Sequence, residues 1–181
     1  EASGWDGVLL EDYIVWQSRQ DVPTYDPWIT LAAMAMRTKR IRLGTNVTPL
    51  ARRRPWKVAR EAVTLDHLSN GRVTLAVGLG AIDTGFAAFG EETDRKVRAE
   101  LLDEGLDILT GLWRGQPFNY DGKHYKIKET TFYPPPPPVQ QPLARAAAER
   151  AVRAVCPALT PAEHRTPRAT RRARRRAADG S

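Results

Sequence analysis

Cysteine is almost missing from this sequence. Cys156 is the single thiol in 181 residues, so no disulfide can form within the chain, and a reducing, cytoplasmic setting is expected. Long apolar runs are missing as well. No stretch approaches the roughly 18 residues that cross a bilayer, so no membrane partner is expected. Glu1 to Asp6 contain neither a basic region nor an apolar core, so no secretory signal is read there. Glu1 opens the chain inside what reads as the end of a helix, and a preceding segment is therefore expected. Histidine is sparse too. His67, His124 and His164 lie far apart, no metal-ligand spacing joins them, and no metal is expected.

Positive charge is present in excess, but only locally. Residues 1–142 hold 18 Lys and Arg against 18 Asp and Glu, whereas residues 143–181 hold ten Arg against three acids, so the whole net charge of +7 belongs to the second segment. A nucleic-acid reading of the basic charge applies to that segment or to nothing. With 41% hydrophobic residues, the chain can bury a sizeable core in one ordinary domain.

Residues 1–142 alternate strand and helix patterns. Gly7 to Leu10 is a short apolar run suited to a buried strand. Asp26-Pro27 is a helix start, with Asp as cap and Pro in the first turn, and the helix runs to about Arg37. Ile41 to Val47 reads as the next strand. Pro55 opens a second helix, in which Val58, Ala59, Ala62, Leu65 and Leu68 recur at helical spacing before Asn70-Gly71 stops it. Val73 to Leu79 is a third strand. Asp94 to Arg114 is a third helix with a wide apolar face of Val97, Leu101, Leu102, Leu106, Leu109, Leu112 and Trp113. Such alternation predicts an α/β fold with a parallel sheet covered by helices. The strands begin near 7, 41 and 73, close to the roughly 31 residues per unit of a (β/α)₈ barrel. A doubly wound sheet fits this periodicity almost as well. Phe118 to Ile127 reads as a hairpin turning at Asp121-Gly122. Pro134 to Pro138 reads as a stiff connector in preference to an SH3-type ligand.

Two phosphate-loop patterns fail. Gly78-Leu79-Gly80 resembles the start of a dinucleotide fingerprint, but Asp83 stands where the third glycine is required. Gly80 to Gly85 has P-loop spacing, but Phe86 and Ala87 replace Lys and Ser/Thr. In a barrel the chemistry sits at the carboxyl ends of the strands. Those ends are Glu11-Asp12-Tyr13, Gly44-Thr45-Asn46-Val47 and Gly78-Leu79-Gly80. Their glycines either admit backbone close to a flat ligand or merely turn the chain. Asp12 is an acid/base group or a cap, and Tyr13 a hydrogen-bond donor or a packed aromatic.

These segments, in this order, resemble the luciferase-like monooxygenase family. The likeness is carried by Gly4-Trp5-Asp6-Gly7 with Glu11-Asp12-Tyr13, by Asp26-Pro27-Trp28, and by Arg40 to Leu50. It continues through Arg53-Arg54-Pro55, Thr64 to Arg72, Val77 to Gly80, Phe86 to Gly90 and Asp103 to Trp113. The resemblance implies part of a TIM-like barrel, about strands 2–4 with their helices, that binds FMN or coenzyme F420. It implies monooxygenation or hydride transfer on a small-molecule substrate, and a homodimer in the intact parent. It places Gly44, Thr45, Asn46, Val47, Gly78 and Gly80 at the cofactor, with a non-prolyl cis peptide at Asn46–Val47 behind the ring. Many members carry His just after the first of these strands. Here Tyr13 or Asp12 is the expected catalytic substitute.

Arg52-Arg53-Arg54 follows the second strand. It either anchors an anionic group or, the preferred reading, forms a solvated or dimer-interface loop. From Leu143 the composition changes to 12 Ala and ten Arg in 39 residues, with no Phe, Trp, Tyr, Ile, Lys or Met. Residues 143–181 are expected to be disordered or partly helical and to be the product of a frameshift, which reading the alternative frames of the DNA would test. On that expectation the chain is an inactive fragment of its parent enzyme. The alternatives are a basic-tailed fragment that binds nucleic acid through phosphates and a barrel completed by a second chain.

Overall fold

A computed structural model describes residues 1–137. The domain boundary expected at 142/143, the basic tail and Pro138 lie outside the described residues. Three parallel strands, β1 (Gly7–Leu10), β2 (Arg42–Pro49) and β3 (Val73–Gly78), pair in sequence order. Helix α1 (Pro27–Arg37) links the first pair of strands, and α2 (Pro55–Leu68) links the second. Helix α3 (Arg95–Leu112) follows β3 and leads into an antiparallel hairpin of β4 (Pro117–Asp121) and β5 (Lys126–Thr131). The hairpin is longer than the sequence pattern predicts, and its turn extends to Tyr125, where Gly122 donates to the Tyr125 carbonyl.

Local chemistry accounts for the element boundaries. The Asp26 carboxylate accepts from the Ile29 amide at 3.0 Å and Asp94 accepts from Val97 at 2.9 Å, each satisfying a donor that the first helical turn leaves free. Helix α2 has no side-chain cap and begins on Pro55, whose missing N–H removes one such donor. It ends where Asn70 and Gly71 adopt left-handed backbone, with φ of 54° and 78°, and the Gly71 amide closes on the Asp66 carbonyl.

Helices α1 and α2 pack against the sheet and against each other, and α3 packs against α2. Leu31, Leu43, Val58, Val63, Ile108, Leu109 and Leu112 are all fully or almost fully buried there, each contributing about 1.5–3 kcal/mol of hydrophobic stabilisation. The hairpin joins this core through Tyr125 and Phe132. The proline segment runs back along α2: Arg60 lies 3.8 Å above the Phe132 ring and donates to the Tyr133 carbonyl, and His67 bonds the Pro135 carbonyl. The first strand departs from expectation. Leu9 is 51% exposed and β1 alternates exposed with half-buried residues, because among the described residues β1 pairs with β2 alone and nothing covers its other face.

Candidate functional site

The carboxyl ends of β1, β2 and β3 open into a cleft of about 430 Å³, within the roughly 300–1,000 Å³ usual for small-molecule sites. The segment after β1 contributes Glu11, Asp12 and Tyr13. Strand β2 contributes Asn46, Val47 and Pro49, and the segment after β3 contributes Gly78 to Ala81 and Thr84. The first turns of α3 close the far wall with Arg95 and Arg98. Six of the eight expected site residues thus come together: Asp12, Tyr13, Asn46, Val47, Gly78 and Gly80.

Gly44 and Thr45 do not line it. A side chain at Gly44 would collide with the Thr74 carbonyl oxygen, so this glycine lets β2 and β3 approach. Thr45 is fully buried, with its hydroxyl 2.7 Å from that of Thr48. The two hydroxyls bridge the irregularity in register between Thr45 and Thr48, inside which the Asn46–Val47 peptide is cis. Alternation along β2 breaks there, so residues 44 and 45 serve the sheet while 46 and 47 reach the cleft. Gly80 is held with φ of 71°, and a β-carbon there would stand 2.5 Å from that of Pro49. The floor therefore requires glycine at this position.

The acidic and phenolic groups are placed differently from one another. Asp12 is 1% exposed, and both its oxygens accept from Arg53, at 2.6 and 2.7 Å. Arg52 donates to the Asp12 carbonyl at 2.5 Å. Both oxygens of Asp12 are thus engaged in a bidentate pair. The Arg52 and Arg53 side chains are accordingly turned inward rather than solvated. Arg54 alone stays outward, over the Trp56 ring. Tyr13 packs edge-tilted on Trp16 at 5.1 Å. Burial first, and then the negative charge of Glu11, push its phenol above the ordinary tyrosine range, so it stays protonated and is a donor. Glu11 is exposed and accepts from Nδ2 of the Asn46 side chain at 3.3 Å.

Sequence reasoning missed the basic wall. Arg98 is 5% exposed, donates to the carbonyls of Leu79 and Gly80 at 3.1 Å each, and keeps a buried Nε with no partner among the described residues. The fully buried Phe86 ring lies between two guanidiniums, Arg52 at 5.6 Å and Arg98 at 5.1 Å. Burial pushes the Arg52 guanidinium down, against the charge of Asp12. A basic residue four positions before Leu102 looks like part of a solvated helix face. The signal that could have found Arg98 is its place in the first turn of the helix that follows β3, beside the strand's carboxyl end.

The luciferase-like monooxygenase model matches residues 1–180, and the chain belongs to that family. An F420-dependent glucose-6-phosphate dehydrogenase of Microbacterium testaceum (strain StLB037) is 34% identical over 139 residues, covering 75% of this chain and 41% of that protein. A protein of the same description from Mycobacterium avium (strain 104) is 36% identical over 143 residues. Among solved structures, an F420-dependent secondary alcohol dehydrogenase in complex with an F420-acetone adduct superposes with a TM-score of 0.68 at 25% identity, over 75% of this chain and 42% of that one. The monooxygenase RslO1 from Streptomyces bottropensis superposes with a TM-score of 0.59 at 31% identity, over 71% and 41%. The parallel βα units are therefore part of a TIM-like barrel, and the doubly wound alternative falls away. The chain spans about two-fifths of the length of the relatives it matches.

Proposed function

We propose that the cleft is the cofactor face of a flavin- or F420-dependent oxidoreductase acting on a small-molecule substrate. The observation that carries this reading is the pairing of a side-chain-free floor at Gly78 and Gly80 with a buried cation, Arg98, whose Nε has no partner among the described residues. FMN and F420 each join a flat tricyclic ring to a phosphate-bearing tail. Backbone at Asn46–Val47 and Gly78–Gly80 suits the ring, and Arg98 with the exposed Arg95 suits an anionic group. The residues present thus fit such a group, which when bound supplies the redox chemistry.

The chain's own residues bind and orient. Val47, Pro49 and Leu79 shield the ring site from water. Tyr13, held protonated, donates a hydrogen bond to an oxygen of the substrate or the ring, filling the place where many relatives carry histidine. Glu11, the exposed acid beside it, accepts. Titration of the full chain with FMN and with F420, followed by fluorescence, is expected to show saturable binding of one of them. Binding of neither overturns the reading.

The same proposal includes a homodimer. Ile29 is 75% exposed and Met36 69% exposed. With the exposed Ala33 they form an uncharged stripe at helical spacing on α1. The dimer is that of the intact parent: light scattering of the parent is expected to give twice its chain mass, and Ile29→Glu to halve it. A monomeric unaltered parent would remove this part of the proposal.

A further inference from the structure

We propose that Arg53 is a positioning residue for the cleft: through Asp12 it fixes the segment from Glu11 to Ile14, and so sets where Tyr13 and Glu11 meet a bound ring. The inference rests on the reading of the cleft as a cofactor site.

Arg53 does not itself line the cleft. Its Nε and Nη2 reach the two oxygens of Asp12 across 41 residues of sequence. It also faces Asp26, the cap of α1, at 3.8 Å, and Glu61 of α2 at 3.6 Å. The Glu61 oxygen concerned has no other partner among the described residues. One guanidinium thus ties the end of β1 to both helices that flank it. On the other side of Tyr13, the Ile14 amide donates to the Thr84 carbonyl at 3.4 Å. Tyr13 is therefore held through its two chain neighbours, Asp12 tethered by its carboxylate to Arg53 and by its carbonyl to Arg52, and Ile14 to the segment after β3. The Arg53–Asp12 tether is the bidentate one, and only a planar fork makes it. A lysine keeps the charge but grips one oxygen at a time.

Such a role differs from plain stabilisation, because its loss acts locally. The test compares Arg53→Lys, Arg53→Gln and Asp12→Asn with the unaltered full chain, by amide hydrogen exchange without ligand and by FMN and F420 titration. Arg53→Lys is expected to keep the exchange of β2 and α2 unchanged while residues 11–14 exchange about tenfold faster, and to weaken binding roughly tenfold to a hundredfold, as small displacements of positioned groups do. Arg53→Gln is expected to do both more strongly, and Asp12→Asn to resemble Arg53→Lys, since its remaining oxygen still accepts one bond from Arg53. Unaltered exchange at 11–14 in all three variants overturns the proposal. So does an even rise through β1, β2 and β3, which marks a merely structural ion pair. Failure of both cofactors to bind the unaltered chain overturns the cleft reading instead, and the exchange data then decide the role of Arg53 by themselves.

Discussion

Two buried arginines stand at opposite ends of β3, and they differ in what their donors do. Arg72, just before the strand, uses all three nitrogens: Nε donates to the Ser69 carbonyl at 2.6 Å, Nη1 to the Thr38 hydroxyl and the Ile41 carbonyl, and Nη2 to the carbonyls of Ala35 and Thr38. It clamps the end of α1 and the entry to β2 onto the α2–β3 turn. Arg98, just past the strand's other end, spends one nitrogen on the carbonyls of Leu79 and Gly80 and leaves Nε without a partner among the described residues. Leaving a buried donor unmade is costly, so the closed set of bonds at Arg72 holds the fold, while Arg98 keeps bonding capacity to spare beside the cleft. Barrels divide in the same way, with stability at the amino ends of the strands and chemistry at the carboxyl ends.

The largest expected effect breaks the closed end. Arg72→Met keeps the bulk of the side chain but strips donors from four carbonyls and a hydroxyl, and is expected to cost about 3–5 kcal/mol, read by urea unfolding. A loss below about 1 kcal/mol would show that water replaces these bonds. Gly44→Ala comes next. Its new carbon meets the Thr74 carbonyl oxygen, so β2 and β3 must separate at a cost of about 2–3 kcal/mol; equal stability would show that the strands yield there without cost.

The open end is expected to respond in the opposite sense. Arg98→Gln should lower stability by only about 1–2 kcal/mol while weakening cofactor binding at least tenfold, about 1.4 kcal/mol. Comparable losses of stability at Arg98 and Arg72 would erase the contrast between them.

The smallest effect concerns the hairpin, away from both ends of β3. Glu100 accepts from Lys123 and His124, and these bonds, Lys123 first, hold its carboxyl down from the usual 4.5 to about 2. A depressed carboxyl contributes stability above its unfolded value and loses it as pH falls through the folded value. Docking of the hairpin on α3 is therefore expected to weaken between pH 4.5 and about 2, as seen in the amide signals of residues 117–131. Glu100→Gln should flatten that dependence, and an unchanged profile in the variant would assign it to another group.

What could be read from the sequence follows from the range of the forces involved. Asp26-Pro27, Pro55 and Asn70-Gly71 act within one turn of chain, so the helix boundaries were legible. The barrel could be separated from a doubly wound sheet only by family resemblance, since the strand spacing suits both. At the site, strand ends bring Tyr13, Asn46, Val47, Gly78 and Gly80 to one cleft, because a parallel sheet gathers its carboxyl ends. That Gly44 and Thr45 face away from it was not legible, because the irregularity at Thr45–Thr48 interrupts the two-residue alternation on which facing is judged. The Arg53–Asp12 pair was hidden for a different reason: its partners lie 41 residues apart, and no local pattern marks a contact set by helix packing.

The most direct test of the account is amide chemical-shift mapping of the full chain during titration with F420 and with FMN. Changes are expected only at residues 11–14, 46–49, 78–84 and 95–98, with Thr38, Ser69 and Arg72 still. Changes centred on Arg72, or none with either cofactor, would contradict it.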